Sequence, residues 1–120
     1  MSLPLLAIDF DGVIMQRQPR IKARHRPISG RYELKGSTMP GAHEAIKALA
    51  AEWSLVLHTC RAQDERGATL VRRYLARRKL LDYFTEITAI KPDAVAYIDD
   101  KAFRFTSWDS VTAAFTGGDQ

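Results

Sequence analysis

Hydrophobic and polar positions alternate in blocks along this chain, and the blocks have two characteristic lengths. Apolar runs of strand length cover residues 5–10, 54–59 and 94–98. Between them, residues 41–52 and 62–79 carry apolar side chains at every third or fourth position, which predicts amphipathic helices. Strands that alternate with helices are typical of a parallel sheet covered by helices on both faces, so the pattern predicts an α/β fold.

Smaller elements complete this plan. The run "FTEIT" is predicted to be a short strand, and "AFRF" a further one. The stretch "SWDSVTAAF" predicts a last helix that Ser107 or Asp109 opens. Ser37 or Thr38 is the predicted N-cap of the first helix, with Pro40 in its first turn.

Length and composition indicate one domain. A chain of 120 residues is long enough to bury a core and short for two domains. No apolar run approaches the roughly 18 to 20 residues of a membrane helix, so we expect a soluble protein without membrane contacts. The opening "MSLPLLAI" lacks the features of a secretory signal, and the single cysteine, Cys60, has no partner for an internal disulfide. Both features predict a cytoplasmic location, and Cys60 is expected to be buried.

The net charge of +4 comes from two basic clusters, and it favours an anionic partner. The first cluster lies in segment 15–38, which has no periodicity and is predicted to be a basic flap or loop insertion. Its members are Arg17, Arg20, Lys22, Arg24, Arg26, Arg31 and Lys35. This cluster is the candidate contact for nucleic acid. The second has helical spacing and is predicted to be the solvated face of an amphipathic helix: Arg72, Arg73, Arg77, Arg78 and Lys79.

Polar side chains follow the predicted strands at the points where the strands end. They are Asp9 and Asp11, then Thr59, then Asp99 and Asp100, with Lys91 in the loop before the last strand. Residues i and i+2 of an extended chain point to the same side, so Asp9 and Asp11 face one space. Ligands of parallel α/β sheets bind beyond the carboxyl ends of the strands. We therefore expect these side chains to converge there.

This set of side chains suits phosphoryl chemistry. Clustered carboxylates repel one another unless a cation holds them, and Mg²⁺ prefers oxygen ligands that a phosphate oxygen commonly completes. A hydroxyl and an ammonium group bind the remaining phosphate oxygens. One carboxylate can act as a nucleophile, and a second can serve as general acid and base. The sequence therefore predicts a Mg²⁺ site that acts on a phosphorylated small molecule or nucleotide.

Four motifs in order, "DFDGV", "LVLHT", "IKPD" and "YIDD", resemble the haloacid dehalogenase (HAD) superfamily, specifically its small phosphatase-like members. The resemblance implies a three-layer α/β/α Rossmann-like fold with a central parallel sheet. It implies that Asp9 is the nucleophile and Asp11 the general acid and base. Thr59 would bind the phosphoryl group, and Lys91 would neutralise it. Asp99 would ligate Mg²⁺ with Asp9 and the backbone carbonyl of Asp11, and Asp100 would be a second ligand or would orient the first ones.

Three further residues lie beside these motifs. Gly12 has no Cβ and lets the chain turn sharply under the phosphate. Arg61 lies close enough in sequence to Thr59 to reach the substrate phosphate. His58 is expected to point away from Thr59, because side chains alternate along a strand.

The predicted function is that of a Mg²⁺-dependent phosphatase, which hydrolyses a phosphomonoester through an aspartyl-phosphate. A nucleotide or a nucleic-acid terminal phosphate is the candidate substrate. The gap after the first motif has room for a flap and not for a folded cap domain, so the resemblance points to a capless member of one domain over residues 1–120. Two alternatives remain: a non-catalytic domain that binds phosphate or nucleic acid, and a receiver-like phospho-acceptor protein. The oligomeric state and the substrate stay open.

Overall fold

The computed structural model describes residues 3–17, 33–99 and 103–117. Its strands are β1 (Leu5–Ile8), β2 (Ser54–His58), β3 (Phe84–Thr88), β4 (Ala96–Asp99) and β5 (Phe103–Arg104). Its α-helices are α1 (Ala42–Ala50), α2 (Glu65–Arg77) and α3 (Trp108–Phe115). Two short 3₁₀ turns cover Cys60–Gln63 and Leu81–Tyr83. Within these ranges, no helix has the length and apolar character that crossing a membrane requires.

The strands form one sheet in the order β3-β2-β1-β4-β5, and every neighbouring pair is parallel. The prediction of an α/β fold with a parallel sheet is therefore confirmed. The chain first moves outward from β1 through β2 to β3, and then returns to the other side of β1. This reversal makes the gap between β1 and β4 the topological switch point, where sheets of this kind bind their ligands.

The core lies against one face of the sheet. Alternate strand residues point into it, namely Leu6, Ile8, Leu55, Leu57 and Ile98, all fully buried. They form a single cluster with the apolar faces of the three helices, which contribute Ile46, Leu49, Val71, Tyr74, Leu75, Trp108 and Val111. Right-handed crossovers from β1 to β2 and from β2 to β3 run in the same direction, which places α1 and α2 on the same face.

The opposite face carries Ala7, Val56 and Tyr97, the residues that alternate with the core positions. The connection from β3 to β4, residues 89–95, crosses back without a helix, although the structure describes all seven positions. The helices that the structure describes therefore form one layer, and the second helical layer of the three-layer fold stays a prediction.

The ends of the helices differ from the prediction in specific ways. The predicted N-caps of α1, Ser37 and Thr38, are wrong, since the helix begins only after Gly41, whose φ is +80°. Thr38 instead pairs with Met15 in an antiparallel bridge. A 3₁₀ turn, Cys60–Gln63, takes the place of the first helical turn predicted for α2. The helix therefore begins only after its N-cap, Asp64.

The structure also tests the predicted N-cap of α3 and the predicted burial of Cys60. Ser107 rather than Asp109 caps α3, because its side chain accepts a hydrogen bond from the Ser110 N–H at 3.2 Å. The prediction that Cys60 is buried is wrong: its side chain is exposed, since it opens a 3₁₀ turn at the surface.

The base of the predicted flap is closed by backbone hydrogen bonds. The Gln16 N–H donates to the Ser37 carbonyl at 2.8 Å, and the Met39 N–H donates to the Ile14 carbonyl at 2.7 Å. Five of the seven basic residues of this segment lie outside the described residues: Arg20, Lys22, Arg24, Arg26 and Arg31. The segment thus leaves and rejoins the domain at one place.

The basic face of α2 is exposed at Arg72, Arg73 and Arg77, as predicted. Arg77 forms an ion pair with Glu33, and this pairing lowers the pKa of the Glu33 carboxyl. Arg78 differs from the other three, since it is half-buried and its guanidinium lies 3.5 Å from the centre of the Tyr74 ring.

Gly67 is required where α2 meets the preceding turn. A Cβ at this position would lie 1.7 Å from the carbonyl oxygen of Arg61, which is backbone and has no freedom to yield. Alanine would favour the helix by about 1 kcal/mol over glycine, but overpacking of this kind costs about 1 to 3 kcal/mol or more. We expect the Gly67→Ala variant to have a lower free energy of unfolding by urea denaturation.

The matched control for this prediction is Gly117→Ala. There the added Cβ would lie 3.3 Å from a carboxylate oxygen of Glu52, the mobile end of a side chain. This variant should unfold within about 0.5 kcal/mol of the wild type, as is usual for surface substitutions. Equal stability of the two variants would contradict the packing argument.

Candidate active site

Asp9 is the first residue beyond β1, at the switch point of the sheet. Its N–H donates to the carbonyl of Ile98 at 3.0 Å, which ties it to β4. Its carboxylate oxygen Oδ1 accepts the N–H of Phe10 at 2.7 Å. The Phe10 ring is fully buried and meets the Tyr74 ring edge-on, with centroids 5.2 Å apart. Core packing on one side thus fixes the carboxylate on the other.

The surroundings of Asp9 disfavour its charge. Burial raises the pKa of its carboxyl above the usual value, and the negative charges of Asp11 and Asp99 raise it further. The hydrogen bond from Phe10 and the charge of His58 act in the opposite direction and lower this pKa. A cation beside these three carboxylates would lower the pKa of Asp9, because its positive charge favours the ionised form.

A tight turn presents Asp11. The N–H groups of Ile14 and Met15 both donate to the Phe10 carbonyl, at 2.9 and 3.1 Å. Gly12 has φ of +79°, a left-handed conformation that costs glycine little, and its N–H donates to the Met15 carbonyl at 2.7 Å. The prediction of a sharp turn at Gly12 is confirmed.

The guanidinium of Arg61 binds both carboxylate oxygens of Asp11. Its Nε and Nη2 donate to the two carboxylate oxygens of Asp11, each at 2.9 Å. Such a fork is the strongest form of this ion pair. The Arg61 N–H also donates to Thr59 Oγ1 at 3.2 Å, and Thr59 itself is 2% exposed. The structure therefore brings Thr59, Arg61 and Asp11 into one hydrogen-bonded chain that joins the ends of β1 and β2.

Two predicted site residues remain, Lys91 and Asp100. Lys91 is exposed, and its ammonium lies 4.5 Å from the centre of the Tyr97 ring. The Tyr97 hydroxyl donates to the Pro92 carbonyl at 2.5 Å, which ties this loop to β4. Lys91 is not among the described charges that shift the pKa of Asp9, so its predicted contact with the nucleophile stays a prediction. Asp100 lies outside the described residues.

The atoms that the carboxylates offer at this edge suit a magnesium ion, but the arrangement of the side chains is not that of a ready metal site. Asp9, Asp11 and Asp99 offer only oxygen, the ligand that Mg²⁺ prefers. Within residues 3–17, 33–99 and 103–117, however, no three His, Cys, Asp or Glu side chains are arranged as a ready site for a metal. The bonds of Asp11 to Arg61 and of Asp9 to Phe10 account for part of this, because both carboxylates point at other partners.

The structure has a cavity away from the carboxylate end of β2. A cavity of about 560 Å³ lies at the other end of β2, lined by Lys47, Trp53, Ser54 and Asp82 among others. Ser54 begins β2, whereas His58 ends it beside the carboxylates. The cavity is therefore separate from the candidate site.

The sequence analysis missed two features of the site: the action of His58 on Asp9 and the position of Arg17. His58 acts on the charge of Asp9, and the strand register explains why: Leu57 pairs with Ile8, so the next residues of β1 and β2 are neighbours. The alternation of side chains along β2 predicts only that His58 points away from Thr59. Arg17 crosses over Gly12, with Nε 2.9 Å from the position a Cβ would take. No periodicity in the sequence signals this contact.

The raised pKa of Asp9 predicts a pH-dependent effect of Asp9→Asn on stability without metal. The folded protein binds this proton more tightly than the unfolded chain, so ionisation lowers the free energy of unfolding as the pH rises through the raised pKa. Asparagine does not ionise. We expect the two proteins to be similar below about pH 4, and the variant to be more stable at neutral pH. Urea unfolding in chelator at several pH values measures this, and a difference that does not change with pH would contradict it.

Comparisons of the chain with protein-family models, with curated proteins and with solved structures give no match. The interpretation of the site therefore rests on its own geometry: a partly buried carboxylate at the switch point, two neighbouring carboxylates, and a guanidinium fork on one of them.

Proposed function

We propose that this protein is a Mg²⁺-dependent phosphatase that hydrolyses a phosphomonoester through an aspartyl-phosphate on Asp9. The observation that carries the proposal is the placement of Asp9 at the switch point of a parallel sheet, where Asp11 and Asp99 act on its charge. The order of the motifs and this placement together support a HAD-like α/β/α fold without a cap domain. The single cysteine supports a cytoplasmic location.

In the first step Asp9 attacks phosphorus while the bond from phosphorus to the ester oxygen breaks. Asp11 donates a proton to that oxygen, so the alcohol leaves neutral. Asp9, the Asp11 carbonyl, Asp99 and Asp100 would hold Mg²⁺, which when bound neutralises phosphate charge and carboxylate repulsion. The N–H of Phe10 keeps the Asp9 carboxylate oriented.

In the second step Asp11 takes a proton from water, which attacks the aspartyl-phosphate and releases inorganic phosphate and free Asp9. The hydroxyl of Thr59, which accepts the Arg61 N–H, would bind a phosphoryl oxygen. Lys91 would neutralise the phosphoryl group after its side chain leaves the face of Tyr97, where its ammonium now lies.

Arg61 must change partners during this cycle. The two-bond ion pair is made by the Asp11 carboxylate, whereas the first step needs Asp11 as the protonated acid. A phosphoryl group offers the same guanidinium a doubly charged, bidentate acceptor. Transfer of Arg61 from Asp11 to the phosphate would therefore release the acid at the moment when substrate binds.

The substrate that we propose is a nucleotide or the terminal phosphate of a nucleic acid. Its support is the basic segment between Arg17 and Lys35, whose described ends both lie on the domain. A flexible or extended polyanion suits a site without a cap.

Phosphate release from an aryl phosphate, with and without Mg²⁺, tests the reaction. We expect Mg²⁺-dependent turnover by the wild type, none above background by Asp9→Asn, and a fall of about 10² to 10⁴ in kcat for Asp11→Asn. Asp82→Asn, an exposed carboxylate beside the separate cavity, should turn over like the wild type.

Three results would overturn the proposal. Turnover by folded Asp9→Asn would exclude the aspartyl-phosphate mechanism. A stable acyl phosphate that never turns over would favour a receiver-like phospho-acceptor. Binding of phosphate or nucleic acid without turnover in the folded wild type would favour the non-catalytic alternative.

A further inference from the structure

Two guanidinium groups flank the turn formed by Asp11 and Gly12. Arg61 lies on the Asp11 side and donates to both carboxylate oxygens at 2.9 Å. Arg17 lies on the Gly12 side: a Cβ on Gly12 would be 2.9 Å from its Nε and 3.4 Å from its Cζ. The exposed Arg17 side chain thus crosses directly over the one residue of this turn that has no side chain.

Both arginines come from backbone that the fold fixes. Arg17 follows Gln16, whose N–H is bonded to the Ser37 carbonyl at the base of the flap. Arg61 is held by the bond from its N–H to Thr59 and by the close approach of its carbonyl to Gly67. Their positions beside the turn therefore follow from the fold, and are not those of side chains on an unrestrained surface loop.

The location of the two arginines indicates what they bind. Asp11 is the residue that protonates the departing oxygen in the proposed reaction, so its turn marks the side of the site from which the leaving group departs. Asp9 and Asp99 would hold the metal with the Asp11 carbonyl, whereas the Asp11 carboxylate is the group that Arg61 binds. In the proposed reaction Arg61 serves Asp11 and then the phosphoryl group, so Arg17 is the cation beside this turn to which that reaction gives no role.

We propose that the substrate is a phosphomonoester whose leaving group carries a second phosphate, and that Arg17 and Arg61 bind this substrate from the two sides of the Asp11–Gly12 turn. Arg61 takes the phosphoryl group when it leaves Asp11, and Arg17 takes the second phosphate. Guanidinium groups bind phosphate oxygens through paired, charge-assisted hydrogen bonds, which suits both tasks. The inference rests on the proposed phosphatase function and names its substrate class.

The test compares adenosine 3′,5′-bisphosphate with adenosine 3′-monophosphate, with an aryl phosphate as the measure of basal turnover. We expect the wild type to favour the bisphosphate by at least about tenfold in kcat/KM, mainly through KM, since charge-assisted bonds to a second phosphate form on binding. Arg17→Gln should reduce this preference to near unity by raising KM for the bisphosphate. Arg17→Lys should keep part of it, because the charge remains and the fork is lost.

Arg72→Gln is the matched control, since it removes an exposed arginine of α2 away from the turn. It should keep the full preference, and circular dichroism should show all variants folded. Turnover of the aryl phosphate without a preference for the bisphosphate, or a preference that Arg17→Gln leaves intact, would overturn this inference. Absence of any turnover in the folded wild type would overturn the proposed function instead.

Discussion

The repulsion among carboxylates at the ends of β1 and β4 is the constraint on which the rest of this structure depends. Asp9 is partly buried, and Asp11 and Asp99 add like charge to a group that burial already penalises. The protein offsets this with three local donors or cations: the Phe10 N–H on Asp9, the Arg61 guanidinium on Asp11, and the charge of His58. None of these removes the repulsion, which the cation that we propose would offset.

The fold supplies the rigidity that such an arrangement needs. Parallel pairing of β1 with both β2 and β4 fixes Asp9 through the backbone, while the buried Phe10 ring anchors the same segment in the core. Gly12 supplies the left-handed φ of the turn that presents Asp11, and Gly67 allows the close approach of the Arg61 carbonyl. Each glycine thus holds one partner of the Arg61–Asp11 pair in its place.

Patterns with a short period were enough to predict most of the fold. The three apolar runs became β1, β2 and β4, and "FTEIT" became β3 without any change of bounds. Strand order depends on pairing between distant segments, and here the resemblance was the only guide to it. The start of α1 was missed because Thr38 pairs with Met15, a tertiary contact that competes with helix capping.

The sequence predicts which polar residues follow the strand ends at the site. It does not predict which of these residues contact one another. Asp9, Asp11 and Thr59 meet at one edge because parallel strands end together, a rule that needs only sequence. The pairing of Arg61 with Asp11 and the crossing of Arg17 over Gly12 depend on a 3₁₀ turn and on the base of the flap, neither of which has a periodic signal. Lys91 belongs to the "IKPD" motif, and its ammonium lies over the Tyr97 ring, a contact that the motif does not predict.

The most direct test of the central claim is a Mg²⁺ titration of the thermal unfolding midpoint, for the wild type and for Asp9→Asn at neutral pH. A ligand that binds only the folded state raises this midpoint in proportion to the logarithm of its concentration above Kd. The account predicts a saturable onset and a steady rise for the wild type, and little or no rise for the variant. A wild-type midpoint that ignores Mg²⁺, or an equal rise in both proteins, would contradict the claim that these carboxylates are gathered around a cation.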